Sequence, residues 1–404
     1  MHVVGIVAEY DPFHTGHAYQ IAESRRRLGA DCAAAAVMSG NWVQGGRPAV
    51  LDKWTRARLA LLGGADLVLE LPTVWAASSA EAFARGAVEL MAASGVVTHL
   101  SFGSEGGEAA PLRRLAACLN GPGYEAALRR FVAEGLPFAA ARQRAAEDLL
   151  GPEAAALLSS PNNNLGVEYL RALDRLGSPI TPMTVRREGA GHDSLLTGGA
   201  LPPFLSATQL RAFLARGDWE AVRPYLPEGG LEVLRSGWNG FPSLDRAGRA
   251  VLARLRTMTA ADWAAIPDSG AGEGLPPRLE RAGRTCRSLE EFFALAKPRH
   301  WTSARLRRLV LWAYLGLTQA DRPGAPPYLR VLGFNARGRA VLREMKARAC
   351  LPIVTKPAHA GALDGPGRRL FQLEARCTDL YDLCLETVPT PGREWTTDPI
   401  NLES

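Results

Sequence analysis

The chain has 404 residues, 47% hydrophobic and 22% charged, a profile that excludes a disordered, collagen-like or coiled-coil protein and suggests about two or three domains. No apolar run approaches the roughly 18 residues of a membrane span, no basic segment precedes an apolar one at the N-terminus, and the six cysteines include no CxxC pair. A cytoplasmic protein without membrane contact, metal site or disulfide framework is therefore expected. Net charge is +6, and residues 278–348 hold 16 Lys/Arg against 5 Asp/Glu, a local +11 that leaves −5 for the rest. The near-absence of lysine (4, against 43 arginines) reads as a GC-rich coding habit, but the uneven charge points to an anionic partner, nucleic acid first.

Residues 3–8 are a short β-branched run that predicts a strand, followed by a polar turn and a helix over 16–28. A second apolar run, 32–38, and the stretches 67–71 and 96–102 predict further strands. Helices are expected at 53–62 and 79–93. Strands alternating with helices imply βαβ units and a parallel sheet, whose ligands bind at the strand carboxyl ends. Residues 109–176 read as helical, 180–185 as a last strand, and 206–216 as a short helix. Turn-rich segments place a boundary near 225–240. Beyond it helical patterns dominate, at 245–258, 289–296, 303–317 and 336–348.

The strongest motif is His14, Thr15, Gly16, His17, shortly after the first strand and opening a helix. Helix N-termini bind anions through unpaired N–H groups and the dipole. Gly16 lets a phosphate approach, and two imidazoles can donate to an α-phosphate as it becomes five-coordinate. Only seven histidines occur in the chain, so this pair stands apart from chance surface residues. Ser206, Ala207, Thr208, Gln209, Leu210 and Arg211 open a later helix. Its hydroxyls and amides suit the β- and γ-phosphates, and Arg211 the departing pyrophosphate; taken alone, the segment is an ordinary N-cap.

On these residues the chain resembles the bacterial tRNA(Met) cytidine acetate ligases of the HxGH nucleotidylyltransferase superfamily. The similarity runs from Gly5 to His17, through Met38 to Ala49 and Asp52 to Arg56, and on through Leu100 to Glu105, Pro161 to Gly166 and Thr184 to Asp193. It continues in Lys297 to Arg308 and Tyr328 to Gly333. The resemblance implies an α/β fold: a Rossmann-like parallel-sheet catalytic domain over 1–230, then a mainly helical, basic tRNA-binding domain over 231–404. It implies a ligase that joins ATP and acetate as acetyl-adenylate and acetylates N4 of the wobble cytidine of elongator tRNA(Met), with Mg2+ accompanying ATP. The ATP contacts it implies are Val7, Ala8, Glu9, Tyr10, Asp11, Pro12, Phe13, His14, Thr15, Gly16, His17, Ala18, Tyr19 and Gln20. Gly103, Asn163, Arg187, Ser206, Thr208 and Arg211 would complete that site. His14 and His17 are the catalytic candidates at the phosphates. The family usually has Asn where Asp11 stands and Arg where Gly45 stands, and Arg47 is the residue able to replace that guanidinium.

Lys53, one of few lysines, is a third catalytic candidate: it either approaches a phosphate or the acetate carboxylate, or pairs with Asp52 or Asp66. Lys297, Arg299, Arg305 and Arg308 are expected to contact tRNA, with Trp301 available to stack on an unpaired base. Two other readings stay open. One is a nucleotidylyltransferase that adenylates a small phosphorylated metabolite; the other is an RNA-binding protein with a vestigial ATP site.

Overall fold

The computed structural model describes residues 1–186, 203–270, 274–297 and 302–402. Its central strand is β1 (Val3–Ala8), flanked in parallel by β2 (Ala33–Ser39) and by the strand His99–Ser104. The sheet runs Ile400–Leu402, Leu329–Asn335, Leu67–Leu71, β2, β1, His99–Ser104, Thr181–Arg186. All neighbours are parallel except Leu67–Leu71 against Leu329–Asn335. The chain steps outward from β1 through β2 to Leu67–Leu71, then returns to the other side of β1. That reversal opens a crevice beyond the carboxyl ends of β1 and His99–Ser104, where doubly wound sheets bind ligands.

Both faces of the sheet are covered, which is why its strands read as continuous apolar runs. Along β2 the side chains alternate: Ala33, Ala35 and Val37 enter one core with Trp42, Trp75 and Phe83. Ala34, Ala36 and Met38 enter the other with Phe13, Ile21 and Ala60. The second core is closed by α1 (Thr15–Leu28) and α2 (Lys53–Leu62). Helix α1 ends in Arg25, Arg26 and Arg27, cations that suit the negative end of the helix dipole.

The region beyond 231 is mainly helical as expected, yet the sheet does not divide at that boundary. Leu329–Asn335 lies along Leu67–Leu71, Ile353–Val354 pairs with Leu329–Asn335, and Ile400–Leu402 covers its far side. The first five residues of Leu329–Asn335 are all buried, and the strand closes what would otherwise be an open sheet edge. Its pairing partner lies more than 250 residues earlier in the chain, and no local pattern reports such a contact.

Asp66 fastens this return. It is 3% exposed, and its Oδ2 accepts from the Ala34 N–H at 2.8 Å and from Arg25 Nη2 at 2.6 Å. Its Oδ1 accepts from Asn335 Nδ2 at 3.0 Å, so one carboxylate joins α1, β2 and the returning strand. Asp66→Ala leaves a buried amide and a half-buried guanidinium without their acceptor; we expect a loss of about 2–4 kcal/mol in urea unfolding.

Candidate active site

Helix α1 is capped by the two histidines. His14 is the N-cap residue, and its Nδ1 accepts from the Gly16 N–H at 3.1 Å. His17 reaches back, its Nδ1 accepting from the His14 N–H at 3.2 Å. The rings stack with centroids 3.8 Å apart. Since each Nδ1 accepts from an amide, the proton of each neutral ring sits on Nε2, making both imidazoles donors on that side. The three-residue spacing is thus a capping box built from imidazoles. Gly16 is required for a further reason: a Cβ there would lie 2.9 Å from His14 Cε1. Tyr10 packs its edge on His17 with centroids 4.8 Å apart. It does so from a backbone φ of 46°, a left-handed conformation costly for a bulky residue and concentrated at functional sites.

A cavity of about 340 Å³ lies at the switch point. From β1 and the following turn it is lined by Val7, Ala8, Glu9, Tyr10 and Asp11, and from α1 by His14, Gly16, His17, Tyr19 and Gln20. Phe102, Gly103, Asn162, Tyr169, Arg186, Ser206 and Arg211 contribute from other elements. Gln20 also anchors α1 to the sheet by donating to the Ser101 carbonyl at 3.1 Å.

Several expected residues stand elsewhere. Pro12, Phe13, Thr15, Ala18 and Thr208 do not line the cavity. Phe13 is core, filling the space over Gly63, and Thr208 accepts from Arg211 Nη2 at 2.9 Å, steadying that guanidinium. Asn163 is buried, its Oδ1 accepting from Ser104 Oγ at 3.0 Å. Its neighbour Asn162 lines the cavity instead, because Pro161 opens the helix and turns position 163 inward. Ser206 does cap its helix in a capping box with Gln209. Arg187, Arg299 and Trp301 lie outside the described residues. Phe102 and Tyr169 also line the cavity; Asn162, Leu165 and Tyr169 share one helical face by their spacing, a signal the sequence carries.

Lys53 does not approach the cavity. It is 1% exposed and lies 2.6 Å from both Glu70 and Glu394. Glu374 completes the cluster, accepting from the Thr73 N–H and hydroxyl at 2.7 Å. Burial, reinforced by Glu70, pushes the Glu374 carboxyl well above its usual range. Neither Asp52 nor Asp66 is the lysine's partner: the carboxylates come from the Leu67–Leu71 strand and from beyond residue 370, a tertiary arrangement.

The acids and cations at the cavity divide sharply. Asp11 is 2% exposed and accepts from the Val50 N–H at 2.6 Å. Its Oδ2 lies 2.6 Å from Arg47 Nη2 and 3.6 Å from Arg211 Nη1. Burial alone would raise its carboxyl, but Arg47, Arg211 and Arg56 outweigh that and hold it below the ordinary range. Arg47 passes 3.8 Å from where a Cβ of Gly45 would stand, so its guanidinium occupies space that a side chain at 45 would otherwise claim. Glu9 accepts from the Gln44 N–H at 2.6 Å, and burial, then the charge of Asp11, raise its pKa.

The turn carrying Gln44 and Arg47 rests on the helix Ser303–Leu315. Arg307 Nε donates to the Gly45 carbonyl at 3.0 Å and Arg308 Nη1 to that of Gln44 at 3.4 Å. Gly46 has φ 73° and a Cβ there would meet the Arg308 backbone nitrogen at 2.5 Å. Arg308 therefore supports the turn that backs Glu9 and Asp11, whereas Arg305 donates to the Asp268 carbonyl at 2.7 Å and Lys297 is exposed. Arg330, counted in the +11 stretch, is buried 3.7 Å from Glu394, so part of that charge is internal.

A strand, a histidine-capped helix and a cavity at the switch point of a parallel sheet define a nucleotidyl transferase of the HIGH class. The chain matches the family described as HIGH Nucleotidyl Transferase over residues 1–394. It is 36% identical over 421 residues to the tRNA(Met) cytidine acetate ligase of Syntrophomonas wolfei, covering 99% of each chain. The enzyme of that name from Syntrophotalea carbinolica is 40% identical over 365 residues, covering 88% of this chain and 85% of the other. The crystal structure of Thermotoga maritima TmcAL bound with alpha-thio ATP shares the fold with a TM-score of 0.91, at 33% identity over the whole of both chains. The chain belongs to the tRNA(Met) cytidine acetate ligase family.

His17→Ala removes one imidazole donor lining the cavity and one cap acceptor. ATP–pyrophosphate exchange should fall about a hundredfold or more, while thermal unfolding shows the loss of about 1 kcal/mol typical of a cap.

Proposed function

We propose that this protein condenses ATP and acetate to acetyl-adenylate, releasing pyrophosphate, and passes the acetyl group to N4 of the wobble cytidine of elongator tRNA(Met). The observation that carries the reading is the mutual capping of His14 and His17, which orients two donors at the N-terminus of α1 beside a cavity sized for a nucleotide. The α-phosphate would sit against these donors and Arg211 would take the β,γ-phosphate end. Exocyclic cytosine amines are weak nucleophiles, so the acyl group must arrive activated, and the adenylate supplies that leaving group without an enzyme nucleophile.

The Gln44–Arg47 turn supports the RNA half of the reading, because it links the cavity-lining Glu9 and Asp11 to the arginines of the helix Ser303–Leu315. A surface of that charge has no use in adenylating a small phosphorylated metabolite. We assign ATP chemistry to residues 1–230 and tRNA contact to 231–404, with Lys297, Arg299 and Arg305 meeting phosphates and Arg308 holding the turn. Mg2+ would travel on the triphosphate oxygens: among the described residues no group of three His, Cys, Asp or Glu is arranged to hold a metal, and Asp11 is already engaged by Arg47. No described helix is long and apolar enough to cross a membrane. A tRNA substrate would place the enzyme in the cytoplasm.

Nucleoside mass spectrometry of unmodified tRNA tests the reaction. N4-acetylcytidine should form with protein, ATP and acetate together and vanish when any one is omitted; formation from acetyl-coenzyme A alone would overturn the reading. The RNA surface is tested separately. Replacing Lys297 and Arg305 with Ala should weaken tRNA binding more than adenylation, and should flatten the salt slope by about one for each phosphate that the variant no longer neutralises. Unaltered tRNA binding across a salt titration would place the RNA elsewhere.

A further inference from the structure

The cavity is built for anions: a helix N-terminus, two imidazole donors and Arg211 converge on it. Two carboxylates nonetheless line it, and each opposes a triphosphate by repulsion. Asp11 is matched by Arg47 and Arg211 and by the Val50 amide. Glu9 is not matched in this way. It forms no ion pair among the described residues, its Oε1 takes only the Gln44 N–H, and its own carbonyl is pinned by Arg56 Nη1 at 2.5 Å. Arg47 and Arg56 act on its carboxylate only through space, and they do not outweigh burial and Asp11. A carboxylate held rigidly beside the phosphate site, with no cation bound to it, calls for a task other than binding phosphate.

We propose that Glu9 is the proton acceptor for acyl transfer to the cytidine amine. This rests on the reaction proposed above. As N4 attacks the acetyl carbonyl, an N–C bond forms and nitrogen becomes positively charged. The carbonyl carbon then breaks its bond to the adenylate phosphate oxygen, and AMP leaves with that electron pair. One N4 proton passes to the Glu9 carboxylate and from there to solvent, restoring the base.

Elimination among the lining side chains supports the choice. The Nδ1 atoms of His14 and His17 accept from helix amides and their Nε2 atoms carry protons, so while the cap is intact they act as donors. Arg186 and Arg211 have no basic lone pair at neutral pH. Burial raises Tyr10 and Tyr169, the latter further by the charge of Glu9, so neither hydroxyl ionises readily, and Tyr19, Gln20, Asn162 and Ser206 carry neutral polar groups with no base at neutral pH. Of the two acids, Asp11 stays ionised against its arginines, while burial and Asp11 give Glu9 the higher proton affinity. Two carboxyls driven apart by their surroundings are how one site separates a fixed charge from a proton carrier.

Glu9→Gln tests the assignment, since the amide keeps the volume and an oxygen to accept the Gln44 N–H. Two steps are read: acetate-dependent ATP–pyrophosphate exchange, and single-turnover acetyl transfer to tRNA from pre-formed enzyme-bound adenylate. Transfer should fall about a hundredfold or more, far beyond any change in exchange, which also reports correct folding. A base acts when deprotonated, so wild-type transfer should fall as pH drops through the raised Glu9 pKa, and the variant should lose that dependence. Proportional loss of both steps, or wild-type transfer with an unchanged pH profile, would overturn the role of Glu9. Absence of both exchange and N4-acetylcytidine in the wild-type protein would instead overturn the reaction itself.

Discussion

The buried guanidinium of Arg56 organises the site. It lies on α2, fully buried, and donates to the carbonyls of Glu9, Ser39, Gly40 and Leu51. A cation removed from water must satisfy its donors internally, and here it does so mainly on backbone carbonyls at the ends of β1 and β2 and in the following loop, with the Ser39 hydroxyl at 3.5 Å. Meeting that demand pins both strand ends to one side chain. The loop from Glu9 to His14 then has a fixed origin, and the histidine cap has a fixed place over the crevice.

From that anchor the charges separate into two kinds. The deep cluster of Lys53, Glu70, Glu374, Glu394 and Arg330 joins the Leu67–Leu71 strand to residues beyond 328 and has no opening to the cavity. Such a network contributes little net stability compared with apolar packing, but breaking one partner strands the others. The charges around Asp11 are less enclosed: Arg211, which lines the cavity, and Arg47 behind it are each partly exposed while Asp11 between them is not. One carboxylate thus aims both guanidinium groups.

The turn at Gln44–Arg47 is the link between the cavity-lining acids and the helix Ser303–Leu315. One side of it holds Glu9 and Asp11, and the other receives Arg307 and Arg308. The left-handed backbone at Gly46 and the absence of a Cβ there let the Arg307–Arg308 backbone press directly against it. The acids lining the cavity and the basic helix therefore meet at one four-residue turn, although their residues are more than 250 positions apart.

Local pattern sufficed for much of this protein. The alternating runs specified a parallel α/β sheet because strands buried on both faces must be apolar throughout. The HxGH spacing specified a helix N-terminus because residues three apart meet across one turn. The family resemblance located the motifs around that helix. Tertiary structure decided the rest. Lys53 is internal because Glu374 and Glu394 arrive from a distant segment beside Glu70, and the strands on one edge of the sheet come from a region that reads as helical. Asn162 rather than Asn163 faces the cavity because Pro161 sets the helical phase, and Arg308 supports a turn rather than standing free. Each of these depends on a partner remote in sequence or on the phase of one helix, and spacing along the chain encodes neither which distant group arrives nor which side of a side chain it meets.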